Sequence, residues 1–350
     1  VLIGLVAFIG LSVLILLHEA AHFAAAKLFG LRVHEFGLGF PPRLFAWKKG
    51  ETEYSVNLLF FGGFVRIAGE NDRLADASAP SVELSPEERG RFFSVQSAWK
   101  RATVIAAGVL MNFVIGWFLF SGVFIIGTEQ AVVVTGIQPG SPAEAAGFET
   151  GDLFTAFKTS EEFIRFVNAN RGVDTDFSIR RGAEEVVLRA VPRVVTEEGE
   201  GALGVYLGDA GFSSRPFFAA LRDGFWQTGL VFWYTLTAFG ELLQSIFLHA
   251  RIPAGVAGPV GIFSVAQETG KLGFIYLVQL LALISVNLSV LNLIPFPALD
   301  GGRLALIAVE KLKGSPVSAR VEAFLNGLGF AFLMLLFLGI TVNDIVRLFR

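Results

Sequence analysis

Residues 1–22 read VLIGLVAFIGLSVLILLHEAAH, an uncharged apolar run that ends in His18-Glu19-Ala20-Ala21-His22. The run 1–17 contains no Asp, Glu, Lys or Arg. Together with the residues that follow, it reaches the roughly 20 residues that a bilayer-spanning helix needs. No small-residue cleavage site follows it, and the charged motif continues the same helix. A retained first span over 1–30 is therefore expected rather than a signal peptide.

Three more stretches, 102–127, 272–299 and 323–343, are equally free of charge. Of the 350 residues, 53% are hydrophobic and only 17% charged, where soluble domains carry about a quarter. Mean hydropathy is +0.61. These values predict a polytopic α-helical membrane protein with four transmembrane helices. A net charge of −3 without a basic stripe speaks against nucleic acid as a partner. With no cysteine in the chain, disulfides, thiolate metal sites and a cysteine nucleophile are excluded.

On a helix, residues four apart share a face, so His18 and His22 can reach one ion. Glu19 beside them can take a proton from a water acidified by that ion. Zinc is the metal this spacing suits, and two histidines leave it one protein ligand short. His34, His249 and the acidic residues compete for the third place. Asp300 stands out, because it follows the uncharged run 272–299 within Asn292-Leu-Ile-Pro-Phe-Pro-Ala-Leu-Asp300-Gly-Gly302. Two prolines interrupt the helix there and two glycines permit a sharp turn. Irregular backbone at membrane depth is tolerated only where it is buried in protein or lines a cavity. The competing role for Asp300 is a helix N-cap.

Outward from these motifs, 31–70 has the glycine-broken, strand-like character of a small membrane-associated β-hairpin region. A polar linker is expected over 71–101. Residues 128–208 have soluble composition and alternate short strands with short helices, an α+β domain. Residues 209–271 hold a fifth apolar run at 224–240, bracketed by Arg222-Asp223 and Glu241. The third and fourth spans fall at 272–300 and 323–350, separated by a loop at 301–322.

His-Glu-x-x-His in the first span, combined with Asn-x-x-Pro-x-Pro-x-Leu-Asp-Gly-Gly, resembles the site-2 protease family. The closest likeness is to its bacterial, PDZ-containing branch, which acts on anti-sigma factors. Thr52–Ser55 with Gly62-Gly63-Phe64-Val65-Arg66 resembles that branch's re-entrant hairpin, Ala107-Gly108 with Asn112 its second span, and Ser285-Val-Asn287-Leu the approach to the aspartate. Gly140-Ser-Pro-Ala-Glu-Ala-Ala-Gly147 resembles a circularly permuted PDZ domain. Ala21, Val109, Pro41 and Phe60 depart from the common pattern without removing a catalytic group.

The resemblance implies zinc held by His18, His22 and Asp300, with Glu19 as general base. It also implies substrate contacts at Asn287, Asn292, Gly62, Gly63 and Phe64. The implied substrates are single-span membrane proteins, trimmed beforehand by another protease, in a bacterial plasma membrane. The active site would lie near the cytoplasmic side and the PDZ-like domain outside. For His18, His22 and Asp300 to meet on one side, the apolar run at 224–240 must lie on the membrane as an interfacial helix rather than cross it. The net-basic loop 301–322 fits the cytoplasmic side. The rival readings are a zinc transporter, which leaves Glu19 without a task, and a catalytically inactive membrane adaptor, which leaves the intact motif unexplained.

Overall fold

The structure is a computed structural model and describes residues 2–70, 85–182, 184–196, 201–249 and 258–348. The chain divides into two compact units: Val1–Phe120 with Gly224–Gln267 and Leu277–Arg350, and Ser121–Asp223 with Glu268–Tyr276.

The first unit begins with α1 (Leu2–Leu28), which stops where Gly30 adopts φ +73°. There the Leu31 N–H donates to Ala26 O and the Gly30 N–H to Lys27 O. This left-handed end satisfies the orphan carbonyls of the last turn. Two long bent strands follow, β1 (Val33–Lys49) and β2 (Thr52–Ile67). Because both bend, Glu35–Leu38 sit opposite Arg66–Gly63 on one side and Glu53–Val56 on the other, giving a sheet four rows deep. The glycine-broken strand character expected over 31–70 takes the form of these two long strands. The chain continues as strand through Pro41-Pro42, and Arg43 bonds Glu35 and Glu53 at 2.7 and 2.9 Å across the rows.

The expected linker 71–101 lies outside the described residues from 71 to 84. Its remainder is ordered: α2 (Pro86–Arg89) is closed by a Ser85–Glu88 capping box, a 3-10 turn covers Phe93–Val95, and α3 (Ala98–Ile126) starts before residue 102. A core of Ala25, Ala26, Leu31, Val33, Ile67, Phe93, Val104, Ile105 and Ile307 joins α1, the sheet and α3.

The second unit carries β3 (Ala131–Ile137), α4 (Pro142–Ala145), β4 (Leu153–Phe154), α5 (Ser160–Ala169), β5 (Thr175–Arg181), β6 (Glu184–Ala190) and β7 (Val205–Ala210). The strands form one antiparallel sheet in the order β6-β5-β4-β3-β7. Phe148, Phe154, Phe163 and Phe177 make its core, each worth about 1.5–3 kcal/mol of burial. Asp152 is buried and accepts from Arg181 Nε and Nη2 at 2.7 and 2.8 Å, which offsets its desolvation.

Helix α6 (Phe217–His249) returns the chain to the first unit, followed by α7 (Pro259–Leu272), α8 (Phe274–Leu293), α9 (Asp300–Lys313) and α10 (Ala319–Leu348). Phe225 and Phe232 of α6 meet Phe113 of α3, and Thr235 bonds Asn287 of α8 at 2.7 Å. The expected loop 301–322 is instead mostly helix α9. Ile307 is buried and Leu304 partly so, and Glu310 accepts from Arg101 at 2.8 Å before Gly314 ends the helix. Among the described residues, four helices are long and apolar enough to cross a membrane: Ile3–Leu28, Ala98–Ile126, Phe274–Leu293 and Arg320–Val346. Helix α6 is not among them.

Candidate metal centre

His18 and His22 lie one turn apart on α1 and both are buried at 7% exposure. Asp300, the first residue of α9, meets them. Its Oδ2 is 3.1 Å from His18 Nε2 and 3.3 Å from His22 Nε2, and the two Nε2 atoms are 3.1 Å apart. The three atoms make a nearly equilateral triangle. Donors at about 2.0–2.1 Å from a tetrahedral zinc lie about 3.3–3.4 Å from one another, so the triangle matches one face of such a site and leaves the fourth corner open.

The chemistry of the donors points the same way. His22 Nδ1 sits 2.8 Å from Val104 O, which can only accept, so Nδ1 carries a proton and, in the neutral ring that a metal requires, Nε2 offers a lone pair. Asp300 Oδ2 is buried and has no hydrogen-bond partner. Lone pairs converging in a buried place repel one another unless a cation sits among them, and the residues fit a zinc ion on that ground. To hold the ion, Asp300 must be ionised. Among the described residues, this is the one cluster of three or more His and carboxylate groups that can share an ion.

The turn that delivers Asp300 is built by close backbone approach. A Cβ on Gly301 would come within 2.2 Å of the Leu293 and Ile294 carbonyls, and one on Gly302 within 2.2 Å of Phe296 O. Ala298 is held at φ +76°, with its N–H on Asn326 Oδ1 at 3.1 Å.

Glu19 follows His18 on α1 and lies beside the sheet: a Cβ on Gly63 would stand 3.8 Å from Glu19 Cγ. Gly62 and Gly63 are buried in β2, and the Phe64 ring covers Gly37. Asn292 is half-buried in the last turn of α8. Asn287 is engaged by Thr235, a tie between α8 and α6. His34 lies in β1, outside the ligand cluster.

Two features of the site have no role assigned from the sequence. Glu70, just after β2, forms a half-buried ion pair with Arg303 on α9. Burial pushes its carboxyl up, partly opposed by the Arg303 guanidinium. The other is the face of α3 set against the histidines, where Val104 O meets His22 and Asn112 meets His18. An Asn inside an apolar span is the signal that marks it.

Two histidines and a carboxylate around an open corner, with a glutamate alongside, are the parts from which a metal-dependent hydrolase is built. The sequence profile of Peptidase family M50 matches residues 6–336, and the chain belongs to that family. It is 30% identical to the zinc metalloprotease RasP of Oceanobacillus iheyensis, over 97% of both chains. Identity is 31% to the zinc metalloprotease RasP of Shouchella clausii, over 99% of both. The regulator of sigma-W protease RasP of Bacillus subtilis is 27% identical over 96% of both.

Proposed function

We propose that this zinc metalloprotease hydrolyses peptide bonds in or beside the transmembrane segment of single-span membrane proteins, anti-sigma factors among them. One observation carries the reading: His18 and His22, which with Asp300 could hold a metal ion, sit on a helix apolar enough to cross a membrane. The name of the Bacillus subtilis relative, a regulator of sigma-W, supports the substrate class.

Zinc, when bound, supplies the Lewis acidity that acidifies water and polarises the scissile carbonyl. Glu19 takes a proton from the attacking water as its oxygen bonds to the carbonyl carbon. It then delivers a proton to the departing amine as the C–N bond breaks. The Asn292 side chain, half-buried in the last turn of α8, is assigned the developing oxyanion, where a donor counts most in the transition state.

A transmembrane helix hides its carbonyls in hydrogen bonds, so the substrate must be unwound. The rows around Gly62, Gly63 and Phe64 clamp the extended stretch by strand addition, next to Glu19. Phe40, Leu44, Phe45, Leu58, Leu59 and Phe60 are exposed on this hairpin, which supports its dipping into the bilayer. Residues 128–208 are read as a PDZ-like domain, extracytoplasmic, that admits only trimmed substrates. Its edge strand β7 and helix α5 flank a groove lined by Phe163, Val167, Leu203 and Tyr206, which supports a peptide-reading role as well. Helix α6 lies on the membrane without crossing it, and the active site faces the cytoplasmic side of a bacterial plasma membrane.

The test is cleavage in proteoliposomes of a single-span protein with its outer domain intact or removed, with the cut mapped by mass spectrometry. The expected cut falls within or at the edge of the apolar segment, and in the trimmed form only. A cut confined to soluble parts contradicts the reading.

A further inference from the structure

Val104, Gly108 and Asn112 recur every four residues along α3 and share one face. That face meets both imidazoles. Val104 O holds His22 Nδ1, Gly108 leaves room for the rings, and Asn112 Nδ2 lies 3.2 Å from His18 Nδ1. Asn112 is only 1% exposed, and Ser285 Oγ of α8 donates to its backbone carbonyl at 2.8 Å, fixing the chain at this level.

The proton count on His18 decides what Asn112 does. To bind a metal through Nε2, as its approach to Asp300 requires, His18 must carry its proton on Nδ1. An amide NH2 against Nδ1 would force the proton onto Nε2, the very atom aimed at Asp300. Meanwhile Asn112 Oδ1 is buried with no hydrogen-bond partner. The two ends of a carboxamide have nearly the same shape, and a half-turn about its last bond exchanges them. The oxygen then accepts from His18 Nδ1–H and gains the partner it lacks. The His18 lone pair is freed for the metal, as Val104 O frees that of His22.

We infer that Asn112 is a positioning residue of the metal centre: its side-chain oxygen fixes the tautomer and orientation of His18. The inference rests on the zinc reading above. Partners of this kind typically carry about 10–100-fold in metal affinity.

The experiment is competitive zinc titration against a chromophoric chelator. It uses the full-length protein in detergent, unsubstituted and as Asn112→Asp and Asn112→Leu. Leu removes the acceptor, whereas Asp keeps an acceptor oxygen and loses the N–H donors. The expected result is zinc affinity weakened about 10–100-fold by Leu and retained by Asp. Matched melting of the metal-stripped proteins excludes a folding defect. Unchanged affinity in Asn112→Leu, or equal loss in both variants, overturns the inference. Should Leu prevent folding, Asp alone decides: retained affinity supports the acceptor role and a tenfold loss contradicts it. An unsubstituted protein that binds no zinc would sink the zinc reading itself, a separate outcome.

Discussion

Gly108 and His22 stand so close that a methyl group on the Gly108 Cα would lie 2.3 Å from His22 Nε2 and 2.7 Å from His18 Cε1. α3 is thus the wall against which the imidazoles of α1 are set, and the wall has no room for a side chain. Gly108→Ala should therefore raise intrinsic helix propensity, by about 1 kcal/mol, yet lower metal occupancy. Metal analysis of the purified variant, beside its melting curve, checks this. Full occupancy would mean that the rings are not confined by α3.

The three proposed ligands should separate cleanly from the proposed base. His22→Ala and Asp300→Ala are expected to lose zinc on dialysis, since each leaves only two protein ligands. Glu19→Gln should keep it, because Glu19 lies beside the triangle and not in it. Elemental analysis of the dialysed proteins distinguishes these outcomes.

The turn before Asp300 predicts a pair of opposite effects. Gly301→Ala drives a methyl into two carbonyls and should destabilise by about 1–3 kcal/mol or more, in the range of overpacked sites. Ala298→Gly removes a left-handed alanine and should be neutral or stabilising by up to about 1 kcal/mol. Thermal unfolding in detergent reads both, and a harmless Gly301→Ala would show that the turn is looser than described.

Legibility in the sequence varied with how local the signal is. Charge-free runs and the His18–His22 spacing are local, and they sufficed to anticipate four helices apolar enough to cross a membrane and two histidines on one helix face. Asp300 was legible because it closes an uncharged run. Helix α9 was not: its apolar residues crowd into one run of six, Leu304–Val309, flanked by Arg303 and by Glu310 and Lys311, too short to read as a helix on its own, so 301–322 reads as a loop until packing against α3 is known. Strand β1 continues through Pro41-Pro42, where proline normally ends a strand, with ion pairs from Arg43 to Glu35 and Glu53 joining its far arm to the other rows. The short β4 and β7 exist through pairing with β3. Asn112 was visible in α3, but its partner is 94 residues away, and no local pattern reveals that.

Glu51, in the turn between β1 and β2, accepts from Arg91 at 2.6 Å and Lys27 at 2.7 Å. These bonds hold its carboxyl at about 2, from an ordinary 4.5. A depressed carboxylate contributes stability that is complete above the unfolded value and is lost as pH falls through the folded one. The melting-temperature gap between the protein and Glu51→Gln should therefore be full at pH 6 and shrink from about 4.5 down to about 2. A gap independent of pH across that window would mean that the pair adds nothing to the hairpin's attachment.

The most direct test of the central claim is cleavage of a single-span membrane protein by the purified enzyme, its Glu19→Gln variant and a chelator-treated sample. Loss of a general base is worth about 10²–10⁴-fold. The expected result is cutting by the enzyme, a loss of that order in Glu19→Gln with zinc still bound, and recovery of the chelated sample on adding zinc. Undiminished cutting by Glu19→Gln, or cutting that survives zinc removal, would contradict a metal-dependent peptidase centred on His18, His22 and Asp300.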